Sequence, residues 1–284
     1  METAPRVSPT IESTMPEPMT SVRHPLIRCV ADVLRNRSDK PHTIVIDDLE
    51  NIQQAVDCGV EIVSVFYEAS TERPRLTGAG ATVPRYCLDG AVTRTLFGDQ
   101  KRSRVFALAR APKQDGLRSL VRTSGDLIIL DGVRIVGNIG AITRTACALN
   151  AAGVVLVESG LSAPTDRRLV RASRGLVFAI PVVLASRADC VAFVQREQLP
   201  IAALSAHASE PVSSIRAVPG RLGLLMGSER DGDSPELDAL TTHRYAIPMS
   251  RNVESLNVSV ATGIALFTHG SASAGRLSVV ADSF

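Results

Sequence analysis

DLIILDGVRIVGNIGAITRTACALNAAGVVL, residues 126–156, is the stretch that decides the fold. Residues 127–130 are consecutive aliphatics and read as a strand. A glycine-containing loop, 132–140, follows. A helical stretch then ends near Gly153, and a second apolar run, 154–157, closes the unit. This is a strand–loop–helix–strand unit of the βαβ type, and it predicts an α/β protein. Open α/β sheets bind ligands beyond the carboxyl ends of their strands. The loop 132–140 is therefore the first candidate site.

Working outward, the same logic recurs downstream. Residues 200–206, 221–226 and 245–248 read as strands. The last two lead into Gly227-Ser228-Glu229-Arg230-Asp231-Gly232 and Met249-Ser250-Arg251-Asn252-Val253-Glu254. A long apolar helix, 255–267, comes next; it suits a buried interface or a plain core equally. If the strands run parallel, the loops 131–140, 227–232 and 249–255 gather on one sheet edge and form one pocket. No G-x-G-x-x-G, no G-x-x-x-x-G-K-[ST] and no G-x-S-x-G occurs, which weakens dinucleotide, nucleoside-triphosphate and serine-hydrolase readings. Ser228 has no evident His partner, and His207 and His243 lie in strand-like context.

Between these loops lies DRRLVRASRG, read as a helix over 166–174 with Thr165 or Asp166 at its cap. Arg167, Arg168, Arg171 and Arg174 largely share one face. Asp166 is the only acid between Glu158 and Asp189. The cluster predicts a polyanion-binding surface, against the alternative of a solvated face.

Upstream, residues 1–24 are Pro-, Ser- and Thr-rich and read as a flexible tail. A smaller α/β domain is expected over 25–112, with helices near 25–35, 47–58 and 89–97 and strands at 43–46, 60–67, 86–88 and 105–109. Its one dense basic run, Lys101-Arg102-Ser103-Arg104, meets RNA phosphates or forms a solvated turn. Residues 113–124 are polar and read as a linker. The second domain spans 125–270, and 271–284 reads as a loose tail.

Composition narrows the class. The 284 residues allow two domains, and 45% hydrophobic content supports a core in each. Net charge is +2, which excludes a uniformly basic coat but not local patches. The five cysteines form no C-x-x-C and sit beside no histidine at ligand spacing, so neither a metal site nor a disulfide framework is expected. No membrane span and no secretory h-region are found. A soluble cytoplasmic protein is expected.

Three motifs carry a resemblance. Asn138-Ile139-Gly140-Ala141-Ile142-x-Arg144, Gly227-Ser228-Glu229-x-x-Gly232, and Ile247-Pro248-Met249 with Ser255-Leu256-Asn257-Val258-Ser259 resemble the three motifs of the SPOUT RNA ribose-methyltransferases. DGVRIVGNIGAI-x-RT, DRRL-x-RASRG and the small first domain look like the thiostrepton- and nosiheptide-resistance branch. The resemblance implies a ribosomal-protein-like RNA-recognition domain joined to a SPOUT domain with a deep trefoil knot, and a homodimer. It implies methyl transfer from S-adenosylmethionine to an adenosine 2′-oxygen in the GTPase-associated loop of 23S rRNA, giving thiopeptide resistance.

By the same resemblance, Arg144, Asn138, Ser255 and Asn257 form the catalytic set. Leu204, Gly227, Ser228, Glu229, Ile247, Met249 and Leu256 contact the cofactor. Arg144, Arg167, Arg168, Arg171, Arg174, Lys101, Arg102 and Arg104 meet the RNA. An arginine is a poor base, because its pKa exceeds ~12. Orienting the hydroxyl and stabilising developing charge is the physically safer role for Arg144; the alternative is an interface salt bridge. Ser255 and Asn257 serve catalysis or helix capping. Competing functions are a SPOUT enzyme acting on tRNA or another rRNA site, a non-enzymatic protein that shields its RNA site, and a nucleotide-dependent oxidoreductase that lacks its glycine fingerprint.

Overall fold

The computed structural model describes residues 17–35, 42–98, 103–114, 116–228 and 232–270. The first unit contains α1 (Pro25–Leu34), β1 (Thr43–Asp47), α2 (Leu49–Asp57), β2 (Ile62–Glu68), β3 (Arg85–Leu88), α3 (Gly90–Phe97) and β4 (Val105–Arg110). Its sheet has the order β1-β4-β2-β3, with only the β2–β3 pair parallel. Alternation along β2 splits its side chains between two cores. Phe66 stacks on Phe106 at 5.1 Å, beneath α1 and α3. Val65 faces the opposite way, into a core continuous with the second unit.

Two expectations at the edges of this unit change. Met19, assigned to the tail, pairs with the sheet: its N–H donates to the Cys87 carbonyl at 2.9 Å. The polar linker carries a 3-10 turn, Leu117–Arg122, whose Leu120 is fully buried against the second unit. Leu117, Leu120 and Val121, three apolar residues in an otherwise polar stretch, were the available signal.

The second unit contains β5 (Leu127–Asp131), α4 (Val136–Ala148), β6 (Gly153–Val157), α5 (Arg167–Ala172), β7 (Val182–Ala185), α6 (Arg187–Arg196), β8 (Ile201–Leu204), β9 (Glu210–Pro211), β10 (Gly223–Gly227), α7 (Pro235–Asp238), β11 (Thr241–Ala246) and α8 (Val258–Gly270). All its pairings are parallel, in the order β7-β6-β5-β10-β8-β11-β9. The continuous apolar runs of β5 and β6 now make sense. Ile128 and Leu130 face the α4 and α8 side, while Leu127 and Ile129 face α6. The apolar helix expected over 255–267 begins three residues later. Helix α4 packs tightly on α5: a Cβ on Gly140 would lie 2.4 Å from the Ala172 Cβ. Among the described residues, no helix is long and apolar enough to cross a membrane.

Candidate active site

The parallel order brings the three loops to one edge. Residues after β8, β10 and β11 and at the start of α8 enclose a cavity of about 280 Å³. Leu204, Gly227, Ser228, Ile247, Met249 and Leu256 all line it, together with Ser255. Glu229 lies outside the described residues. The cavity floor depends on a tight return of the chain. The Ser228 N–H donates to the Gly232 carbonyl at 3.1 Å, and the Gly232 N–H donates to the Ser228 carbonyl at 3.0 Å. A Cβ on Gly227 would lie 2.2 Å from the Gly232 carbonyl carbon. Only glycine allows that approach.

At the mouth, α4 and α8 meet. The Asn257 side-chain amide donates to Asn138 Oδ1 at 3.1 Å. Its Oδ1 accepts from the Ser259 N–H at 2.9 Å and from the Ser259 hydroxyl at 2.6 Å. Asn257 thus caps α8 and links the first and third motifs. These functions separate by mutation. Asn257→Ala is expected to cost about 1 kcal/mol of stability, the worth of a cap. Asn257→Ser keeps the cap and loses the link. Melting temperature and turnover measured on both decide the role: full turnover with serine leaves capping alone. Arg144, two turns into α4, is exposed and has no hydrogen bond or ion pair among the described residues.

The arginine helix departs from its sequence reading. Asp166 is the one acid near it in sequence, but the first unit supplies two more. Arg167 Nε donates to Asp47 Oδ2 at 2.5 Å, and its guanidinium lies 4.7 Å from the Phe97 ring centre. Arg171 sits 3.6 Å from Asp48. Arg168 is held by Asp166 at 2.9 Å, and that contact holds the Asp166 carboxyl below its ordinary range. Arg167 is therefore turned inward and joins the two units. Gly175 approaches the same surface, where a Cβ would lie 2.9 Å from the Gln54 Cβ. Arg168, Arg171 and Arg174 remain exposed, Arg174 lying beyond the end of α5 at a φ of 53°, and so does Arg104. Lys101 and Arg102 fall outside the described residues.

Comparison with known proteins places this geometry. Residues 126–267 match the SpoU rRNA Methylase family, and residues 16–123 match a family described as thiostrepton-resistance methylase, N terminus. The chain belongs to the SpoU rRNA methylase family. Its sequence is 37% identical over 246 residues to the 23S rRNA (adenosine(1067)-2'-O)-methyltransferase of Streptomyces azureus, covering 85% of this chain and 91% of that one. Identity to the Streptomyces laurentii protein of the same name is 39%, with the same coverage. Among solved structures, the AdoMet-bound rRNA methyltransferase from Sinorhizobium meliloti superposes with a TM-score of 0.74 at 27% identity, covering 92% of this chain and 99% of that one.

In this SpoU methylase the loop 131–140, expected to share one pocket with 227–232 and 249–255, instead lines a second cleft, of about 730 Å³, on the other side of the Ser228–Gly232 pairing. Asp131, Arg134, Ile135, Glu158, Arg187 and Ser234 line it. Ser228, Gly232 and Asp233 border both spaces. Burial, reinforced by Asp238 and Asp131, pushes the Asp233 carboxyl up to about 6. Asp131 and Arg134 belong to the first expected pocket loop, whereas Glu158, Arg187 and Ser234 carried no sequence signal. Among the described residues no cluster of three metal-binding side chains occurs.

Proposed function

We propose that the chain methylates the ribose 2′-oxygen of an adenosine in the GTPase-associated loop of 23S rRNA, using S-adenosylmethionine, and so confers thiopeptide resistance. One observation carries the reading. The match to the two Streptomyces enzymes runs through both units, so it includes the RNA-recognition half as well as the methylase half.

The cavity lining suits the methyl donor. Aliphatic Leu204, Ile247 and Leu256 offer flat apolar walls for an adenine, with Met249 beside them, and the turns at 227–228 and 254–256 offer backbone donors and acceptors. When bound, S-adenosylmethionine supplies an electrophilic methyl on its sulfonium. The protein's task is then positional. The acceptor oxygen must sit in line behind that methyl, and its proton must leave. Arg144, exposed on α4 two turns from the mouth and without an ion pair among the described residues, orients the hydroxyl and stabilises the charge that develops on it. Asn138, fixed by Asn257, holds the ribose or the loop. Arg104, Arg168, Arg171 and Arg174, with Lys101 and Arg102, meet phosphates; Arg174 is suited to a bidentate grip. Arg167 serves domain docking.

The reading includes a homodimer and a trefoil knot. Val260 and Phe267, seven residues apart on α8, share a face and are 50% and 54% exposed, which favours a covering partner. Strand β10 follows β8 and β9 in the chain yet pairs between β5 and β8, and α8 then packs back on α4. That late entry into mid-sheet supports threading. Action on ribosomal RNA sets the workplace in the cytoplasm.

The test is transfer of labelled methyl to unmodified 23S rRNA fragments, mapped by blocked alkaline cleavage. A single 2′-O-methyl on an adenosine of the GTPase-associated loop is expected. Methyl in tRNA or another rRNA site discards the resistance role, and no transfer to any RNA by folded protein favours a shielding protein.

A further inference from the structure

We propose that Asp131 is a positioning residue for the methyl donor, acting through the backbone of the turn that floors the cofactor cavity. The inference rests on that cavity being the donor site. Asp131 is the last residue of β5, and its side chain is only 1% exposed. Neighbouring β10 ends in register at Gly227, where the chain leaves the sheet and doubles back. Beyond Gly232 the chain returns to the end of β5. There Asp131 Oδ2 accepts the Ser234 N–H at 2.6 Å. Arg187, at the start of α6, approaches Asp131 Oδ1 at 3.4 Å and pairs with Glu158 Oε2 at 2.9 Å. Three consecutive strand ends thus converge on one buried carboxylate: β5 through Asp131 itself, β6 through Glu158 and β7 through Arg187.

The physical consequence lies in the turn. Ser228 and Gly232 are tied to each other by two mutual backbone bonds. The chain beyond Asp233 has no sheet to join until α7 begins at Pro235. A charge-assisted bond from a buried carboxylate to the Ser234 amide supplies the missing anchor. A buried acceptor of this kind is costly to leave unmatched, so the amide and the carboxylate hold each other in one geometry. Because Ser228, Gly232 and Asp233 wall the cavity, fixing Ser234 fixes the cavity's shape. Arg187 neutralises the carboxylate without displacing the amide.

Two variants test this without relying on a single fold-sensitive change. Asp131→Ala removes the acceptor. Ser234→Pro removes the donor at a residue whose φ of −67° already suits proline and whose hydroxyl has no partner among the described residues. Both are measured by calorimetric titration with S-adenosylmethionine, well below each variant's melting temperature. Each is expected to weaken binding about tenfold or more, while Asp131→Asn, which keeps an acceptor for the amide, stays within about threefold. The KM for RNA is expected to hold in all three. A purely structural role would lower melting temperature and leave donor affinity in the folded protein within twofold, and that outcome overturns the proposal. Leu256→Trp, which fills the cavity, serves as the reference. If it leaves donor binding intact, the cavity assignment itself is wrong. If it abolishes binding while Asp131→Ala and Ser234→Pro do not, only the positioning role fails.

Discussion

Arg144→Ala is expected to lower methyl transfer by roughly a hundredfold to a thousandfold, the usual loss when one pre-set donor to a developing oxyanion is removed. The expectation follows from where the side chain stands. Arg144 is exposed on α4, without an ion pair among the described residues, two turns from the cavity mouth at Asn138. A surface arginine with no partner contributes little to stability, so the variant is expected to fold and to bind S-adenosylmethionine like the wild type. Single-turnover methylation, titration with the methyl donor and sedimentation form the decisive set. Turnover within threefold of wild type would sink the catalytic assignment. A variant that is inactive because it falls to monomer would instead make Arg144 an interface residue.

His269→Gln and Asp126→Asn are expected to cost about 3–5 kcal/mol of stability each near neutral pH, the range for breaking a buried pair. His269 is in the last turn of α8, and Asp126 immediately precedes β5. The two are 5% and 6% exposed. The imidazole Nδ1 lies 2.7 Å from Asp126 Oδ2, and Nε2 lies 3.1 Å from the Val218 carbonyl. With both nitrogens facing acceptors, the ring is best satisfied as the doubly protonated cation. The Asp126 hydrogen bond accordingly raises the His269 pKa, against the opposing pull of burial. The pH dependence follows from the sign of that shift. The folded state holds the proton more tightly than the unfolded state, whose value is about 6.5. The pair's contribution is therefore complete below that pH and is lost as pH rises through the elevated folded value. Urea unfolding of wild type and His269→Gln across pH 5.5–9 is expected to show a gap that is widest in acid and narrows in base. A gap independent of pH would refute the charged-pair account.

Several of these features were legible in the chain itself. The aliphatic runs at 127–130 and 154–157, separated by one helix length, required parallel strands with their loops at one edge. From that edge followed a shared space for the loops after β10 and β11, while the loop 131–140 lines the neighbouring cleft instead; Leu204, Gly227, Ser228, Ile247, Met249 and Leu256 were named together by the family resemblance, and they do line one cavity. Local rules sufficed because each loop directly follows its own strand.

Other features depend on pairs far apart in the chain, and no local pattern encodes them. Arg167 looked free because the acids that bind it, Asp47 and Asp48, lie in the other unit; only docking of α5 on β1 brings charge to charge. His269 looked like the end of an apolar helix until folding set it beside Asp126, 143 positions away. Asp131 looked like the first residue of a pocket loop until the return of the chain after β10 brought the Ser234 amide to it. Apolar periodicity reports which face of an element is buried, and so it determined the strands, the helices and the edge that carries the site. A buried ion pair or a carboxylate–amide bond is specified by two residues and the space between them, and that space exists only in the tertiary structure.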